Sequence, residues 1–278
     1  MSESTKSKRR RKKAQTMAEI ADRHELYQDS VQCVEAEIDF VDDTFKHLRG
    51  RRAKTLREDF CGTANTSCEW VRRRRSNVAV GIDLDTEVLD WGTSHNLANL
   101  MPSPRKRITL VEGNVLTTSV PASDIILAMN FSYWIFKDRA LMQRYFKRVH
   151  SQLSGDGVFF LDAYGGYDSF KVCKDRHTYD DFTYIWDQAS YNPINGEMTC
   201  HIHFRFPDGS GISPAFSYEW RLWTLPEIQE LLRETGFKDV TVYWQGTEED
   251  TGEADGVFEP ATIGDPDPAW IAYISASK

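Results

Sequence analysis

No stretch of the chain approaches the ~18 consecutive apolar residues that a membrane-spanning helix requires, so no such span is expected. Paired C-x-x-C cysteines are missing too: Cys33, Cys61, Cys68, Cys173 and Cys200 stand apart. That spacing reads as reduced, mostly buried thiols of a cytoplasmic protein, not as a disulfide frame. Positive charge is scarce, with a formal net charge of −8. Binding to nucleic acid needs a basic field, so an extended nucleic-acid surface is not expected. The basic amino terminus is not followed by the apolar segment of a secretory signal. No zinc-type ligand spacing or catalytic triad is visible either.

What is present supports a packed core, since 40% of the 278 residues are hydrophobic and 8 are tryptophan. The most informative stretch runs Thr55-Leu56-Arg57-Glu58-Asp59-Phe60-Cys61-Gly62-Thr63-Ala64, followed by Gly81-Ile82-Asp83-Leu84-Asp85. It reads as a strand, a tight turn into a helix, and a second strand ending in a carboxylate. Open α/β sheets bind nucleoside cofactors at such strand ends, where an acid takes the ribose hydroxyls. A pyrophosphate would call for a G-x-G-x-x-G turn, and this turn holds one glycine, Gly62. The pattern therefore points to a nucleoside without a pyrophosphate.

Strand and helix alternate through this region, which predicts a parallel sheet. Strands are expected near Lys54–Phe60, Val78–Leu84, Arg107–Glu112, Asp124–Asn130 and Gly157–Ala163. Helices are expected over Asn65–Arg74, Glu87–Asn99 and Arg139–Leu153, with Thr86 capping the second and Gly155 and Gly157 ending the third. Upstream, Met17 to about Leu48 is helical in pattern, with Ile20, His24, Tyr27 and Val31 on one face and Val34, Ile38, Val41 and Phe45 on another. After Gly165-Gly166 the alternation stops. Phe182–Tyr191, Glu197–Phe206 and Ser213–Leu222 then read as an antiparallel meander, separated by the hairpin signals Asn195-Gly196 and Asp208-Gly209. Thr224-Leu225-Pro226-Glu227 is a capping box, and Lys238–Trp244 and Trp270–Ser275 complete the strands. The acidic segment Glu248–Gly256 puts Gly252 and Ala254 where a calcium loop needs oxygen ligands, so it reads as a solvated loop.

These motifs together resemble the class I S-adenosylmethionine-dependent methyltransferases. Glu58–Ala64 stands where that family has an acid and a G-C-G-T-G turn, with Phe60 and Ala64 replacing the outer glycines. Gly81-Ile82-Asp83-Leu84 is similar to the ribose-binding motif, and Val111-Glu112-Gly113-Asn114-Val115 to the adenine-binding one. The resemblance runs from Ala53 to Asp162. It implies a Rossmann-like, seven-stranded, mostly parallel sheet with helices on both faces, carrying the meander as an insertion near 178–223. Residues 16–50 would form a helical cap and 51–278 the methyltransferase domain. The implied cofactor, S-adenosylmethionine, would meet Glu58 at its amino group, Cys61 and Gly62 through the backbone, and Asp83 at the ribose. Leu84, Asn114 and Val115 would border adenine, with Asn114 using its side-chain carbonyl. Asn130 and Phe131 would line the methyl donor, and Tyr27 would reach it from the cap. Cys61 matches the family's ordinary motif cysteine, and no His partner would make it a nucleophile.

A base is needed only if the acceptor carries a proton at neutral pH. His201 and His203 share one face of a strand and are candidates if that face lines the pocket; if it faces solvent they are ordinary polar residues. Asp162, at the end of the fifth strand, is another candidate. The first reading is methyl transfer to a small molecule in an aromatic-rich pocket. A second is an RNA or protein methyltransferase recruited by the basic tail at residues 1–15, which otherwise reads as a disordered, solvated segment. A third is a non-catalytic cofactor-binding module, motivated by Phe60 and Ala64.

Overall fold

A computed structural model describes residues 14–247 and 254–278. The basic run Lys6–Lys13 and the acidic residues 248–253 lie outside the described residues. Three helices, α1 (Met17–Ile20), α2 (Arg23–Val31) and α3 (Val34–Arg49), replace the single helical stretch expected upstream of the sheet. The breaks fall where Ala21 and Gln32 are extended; Thr16 caps α1 with a capping box to Glu19, Asp22 caps α2, and Cys33 precedes α3 without a side-chain cap. At the first break, local capping by Asp22 wins over the continuing apolar period. Ile20, expected on a buried face, is exposed in consequence.

The alternating region forms β1 (Thr55–Asp59), α4 (Asn65–Arg73), β2 (Val78–Asp83), α5 (Thr86–Gly92), α6 (Pro102–Arg105), β3 (Ile108–Glu112), β4 (Ser123–Ala128), α7 (Arg139–Gln152) and β5 (Leu153–Gly165). A π turn at Thr93–Leu97 continues α5 through the expected helix. Asp85, not Thr86, caps α5, its carboxylate accepting from the Glu87 and Val88 amides. Gly155 and Gly157 do not terminate α7. The chain passes at Leu153 straight from helix to strand, and both glycines lie in β5.

The insertion is a separate sheet of four strands, not three: β6 (Cys173–Thr178), β7 (Thr183–Tyr191), β8 (Glu197–Arg205) and β9 (Gly211–Arg221), paired antiparallel in that order. Helix α8 (Leu225–Glu234) follows, with the Thr224–Glu227 capping box in place. Strands β10 (Asp239–Thr247), β11 (Ala254–Ala261) and β12 (Trp270–Ser277) close the chain. The main sheet has the order β11-β10-β12-β5-β4-β1-β2-β3 and so contains eight strands where seven were expected. The additional one is β11, which pairs with the outside of β10 and takes in Asp255 and Gly256, read from sequence as loop.

Its central strands are covered on both sides, which is why Ile125-Ile126-Leu127-Ala128 is apolar without alternation. Leu56, Ile125, Leu127 and Phe160 pack with Ile38, Val41 and Phe45 of α3 and Trp70 of α4. Ile126, Phe159 and Leu161 pack with Met142, Tyr145 and Val149 of α7 and Ile228 of α8. Between the meander and the cap lies a third cluster, containing Ile202, Phe204, Leu26, Tyr27 and Val31.

Candidate cofactor and acceptor site

The turn after β1 keeps its shape without its expected glycines. Phe60 and Ala64 both adopt the left-handed conformation, with φ of 58° and 57°, as does Gly62 at 51°. Such backbone disfavours side chains by roughly 1–2 kcal/mol per residue, so the rest of the loop must hold it. The Cys61 amide donates to the Ile82 carbonyl at 3.0 Å and the Ala64 amide to that of Cys61 at 2.7 Å. Cys61 is buried with its Sγ against Gly81, where a Cβ would come within 2.8 Å of it. Burial pushes the Cys61 thiol up, and the carboxylates of Glu58 and Asp83 push it further, which removes it as a nucleophile.

Asp83 meets this turn directly. Its carboxylate accepts from the Gly62 amide at 2.8 Å and, through the other oxygen, from the Asp85 amide at 3.0 Å. A carboxylate has about four acceptor sites, so these bonds orient it and leave capacity for two neighbouring hydroxyls. A Cβ built on Gly62 meets nothing within 4 Å. The loop thus opens on free space beside an aimed carboxylate, which fits a nucleoside sugar.

Around this centre the other expected residues are distributed as follows. Glu58 is buried under the first turn of α4, where one of its oxygens accepts from the Ser67 amide at 2.9 Å and hydroxyl at 2.5 Å. Burial pushes its carboxyl up to about 7, against the lowering by Ser67. Leu84 is exposed just past Asp83, and Val115 is buried. The side-chain carbonyl of Asn114, expected to face adenine, accepts from the Leu116 amide at 2.9 Å, which leaves it one further lone pair.

Asn130 and Phe131 leave β4 as two successive left-handed residues, with φ of 56° and 57°. Asp162 holds them there: its two oxygens accept from their amides at 2.7 and 2.9 Å. Burial pushes Asp162 up to about 7 while those amides pull it down. With each oxygen bonded to one backbone amide, Asp162 holds this loop, and each oxygen keeps a further lone pair. Phe131 then packs against Tyr164 at 4.8 Å and Trp134 at 5.5 Å between ring centroids, with Trp220 at 6.2 Å.

Of the two faces left open for the histidines, the structure places them on the one turned away from the buried row. On β8, Met198, Cys200, Ile202 and Phe204 are buried, while His201 and His203 alternate onto the opposite, outward face. His201 bonds Ser217 at 2.9 Å, and His203 bonds Ser213 at 2.7 Å and Asp187 at 3.1 Å. The inward face carries Tyr184 and Trp186 from β7 and Phe216, Tyr218 and Trp220 from β9, in register with that buried row. Tyr27 of the cap lies on it, 5.1 Å from the Phe216 ring, with its hydroxyl facing that of Tyr218.

The cap also reaches the turn after β1 and the helices that follow β1 and β2. Gln28 donates to the Thr63 hydroxyl at 3.3 Å, Asn65 to Gln32 at 3.2 Å, and the Trp91 indole to Asp22 at 2.7 Å. None of these pairs was anticipated, and neither was Glu37 of α3. The residue is 7% exposed and its Oε2 has no hydrogen-bond partner. One signal for Glu37 was present: it stands three residues after Val34 and four before Val41, an acid on an apolar stripe.

A parallel sheet whose carboxyl edge carries a tight turn, an aimed acid and an overlying cap defines the fold of S-adenosylmethionine-dependent methyltransferases. Comparison with solved structures agrees. An S-adenosylmethionine-dependent methyltransferase from Clostridium acetobutylicum is similar at a TM-score of 0.64 and 16% identity, over 91% of this chain and 96% of that one. An amino pentose methyltransferase from Micromonospora echinaspora, solved with S-adenosylmethionine bound, is similar at 0.63 and 15%, over 92% and 96%. A sugar N-methyltransferase from Streptoalloteichus is similar at 0.61 and 14%, over 99% and 98%. No family model matches the chain, and no curated protein matches it in sequence.

Proposed function

We propose that this protein is an S-adenosylmethionine-dependent methyltransferase acting on a small molecule. The observation that carries the reading is the Asp83 carboxylate, hydrogen-bonded to the Gly62 amide beside open space at the carboxyl edge of β1 and β2. In this reading Asp83 binds the ribose, and Glu58, Cys61 and Gly62 border the methionine portion. Leu84, Asn114 and Val115 flank the adenine, while Asn130, Phe131 and Tyr27 enclose the sulfonium. Bound there, the cofactor supplies an electrophilic methyl group.

The chain's own task is to orient the acceptor and exclude water. The Phe131–Tyr164–Trp220 group and the inward face of the meander supply an apolar, aromatic enclosure. Such walls suit a small ligand better than a polynucleotide. The amino pentose and sugar acceptors in the names of similar structures support the same class. Five free thiols support a reducing, cytoplasmic setting. The test is transfer of labelled methyl from S-adenosylmethionine into fractionated metabolite extract. A labelled small product is expected, and an absence of labelled product from every fraction would count against catalysis.

A further inference from the structure

Glu58, Glu37 and Asp162 converge on one side of the sheet. Glu58 is in register with Leu127 of β4, and Leu127 with Phe160 of β5. Asp162 lies two residues past Phe160 and therefore shares its face, in register with Tyr273 of β12. Phe40 of α3 packs over Tyr273 at 4.6 Å and Phe160 at 6.1 Å. Glu37 sits one helical turn before Phe40, which carries it over the Asp162 and Glu58 end of that face.

The three acids are not equally provided for. Glu58 has Ser67, and Asp162 has the amides of Asn130 and Phe131. The Oε2 of Glu37 has nothing. Burial pushes Glu37 up to about 8, and the charges of Asp162, Glu58 and Glu35 act in the same direction. Of the causes acting on it, only a Cys33 backbone N–H favours the ionised form, and no cation appears among them. A buried acid without a cation or a second donor is costly when ionised; protonation relieves that cost in the ligand-free protein, and a positive charge beside Oε2 would relieve it with the carboxylate ionised. Among the described residues no three His, Cys, Asp or Glu side chains converge closely enough to hold a metal ion. An organic cation remains, and the surroundings suit one. Glu37 acts electrostatically on Tyr27 and Tyr273, and Tyr27 belongs to the aromatic face with Phe216, Tyr218 and Trp220. A carboxylate beside aromatic faces is a recognition site for ammonium ions.

We propose that Glu37 receives the methyl acceptor, and that this acceptor is an amine arriving as an ammonium ion. The inference rests on the methyltransferase reading above. Glu37 takes one proton from the ammonium, breaking an N–H bond and forming an O–H bond. The lone pair so freed forms the new N–C bond as the C–S bond of the sulfonium breaks, its electron pair staying on sulfur. The methylated nitrogen departs as an ammonium with its remaining protons, and Glu37 returns its proton to water.

The test uses calorimetry on the full chain saturated with S-adenosylhomocysteine, comparing benzylammonium with benzyl alcohol. Benzylammonium is expected to bind at least about tenfold more tightly, the worth of one ion-paired hydrogen bond. Near pH 7 its binding should release a proton, read from the dependence of heat on buffer, because an arriving cation favours the ionised form of Glu37. Glu37→Gln should erase the preference and the proton release while leaving S-adenosylhomocysteine affinity unchanged. That variant is expected to fold, since an amide resembles the protonated carboxyl of the ligand-free protein, and its thermal melt checks this. Equal binding of the two probes, or a preference that survives in Glu37→Gln, would overturn the proposal. Failure of S-adenosylhomocysteine itself to bind would instead overturn the methyltransferase reading, and this inference with it.

Discussion

Glu58 and Asp59 are neighbours on β1, yet they face opposite sides of the sheet into opposite electrostatic surroundings. Asp59 forms a fully buried pair with Arg57, whose Nε lies 2.6 Å from one of its oxygens. Tyr145 donates to Asp59 at 2.9 Å, and Arg57 also donates to Gln152. There the acid has its opposite charge beside it. Around Glu58 lie Glu37 and Asp162, and no cation is among the groups that act on these three carboxyls. A complete buried network stabilises a fold as it stands, whereas an incomplete one is complete only when something else binds. The difference supports the proposal that ligands bind on the Glu58 side.

The comparison can be broken most severely from the complete side. Asp59→Ala would strand the Arg57 guanidinium in the core, and about 3–5 kcal/mol of stability should be lost, measured by urea unfolding. A loss as small as a surface mutation's would mean the two sides are not distinct. On the ligand side, Asp83→Ala should weaken S-adenosylhomocysteine binding by about 10- to 100-fold, as expected for a charged hydrogen-bonding group, in calorimetry. Its effect on stability should be much the smaller of the two variants.

A third test uses pH. Glu58 and Asp162 are each raised to about 7 from ordinary values of 4.5 and 3.8, and Glu37 to about 8 from 4.5. Raised acids favour the folded state in their protonated form. Their contribution is therefore fully present below the ordinary carboxylate values and is lost as pH rises through 7 to 8. Thermal melts of the ligand-free protein should show that decline, and Glu37→Gln should remove its upper part near pH 8. A melting temperature that rises across this interval would contradict the assignment. The smallest effect is expected outside the site: His201→Ala, on the outward face of β8, should shift stability by no more than about 0.5 kcal/mol. Cofactor affinity should be unchanged in the same calorimetry.

Much of the fold was legible because its signals are local. Strand–helix alternation, the Thr224–Glu227 box and the Asn195-Gly196 and Asp208-Gly209 turns all appear as read. Strand β6 was not, because Cys-Lys-Asp-Arg-His-Thr is almost wholly exposed at a sheet edge and shows no apolar alternation. Strand β11 carries Gly256 and Pro260, residues tolerated at an edge but contrary to strand propensity. The upstream helix divided first where the Asp22 cap outweighed its period, and again at Gln32 and Cys33, where no side-chain cap is made. Of the site, the juxtaposition of Gly62 and Asp83 followed from the motif pair. His201 and His203 could be assigned to a common face, but which face turned inward depended on what packed there.

Residue order was enough to specify the alternating elements, the turn at Gly62 and the acid closing β2, because backbone period, capping and turn chemistry act over a few neighbours. It could not specify that Phe60 and Ala64 would hold left-handed backbone in place of glycine. Nor could it specify that Asp162 would tie down the β4 loop while Glu37 was left without a partner. Those outcomes depend on which segments meet across the sheet, and the environment of a buried charge is set by its neighbours in space.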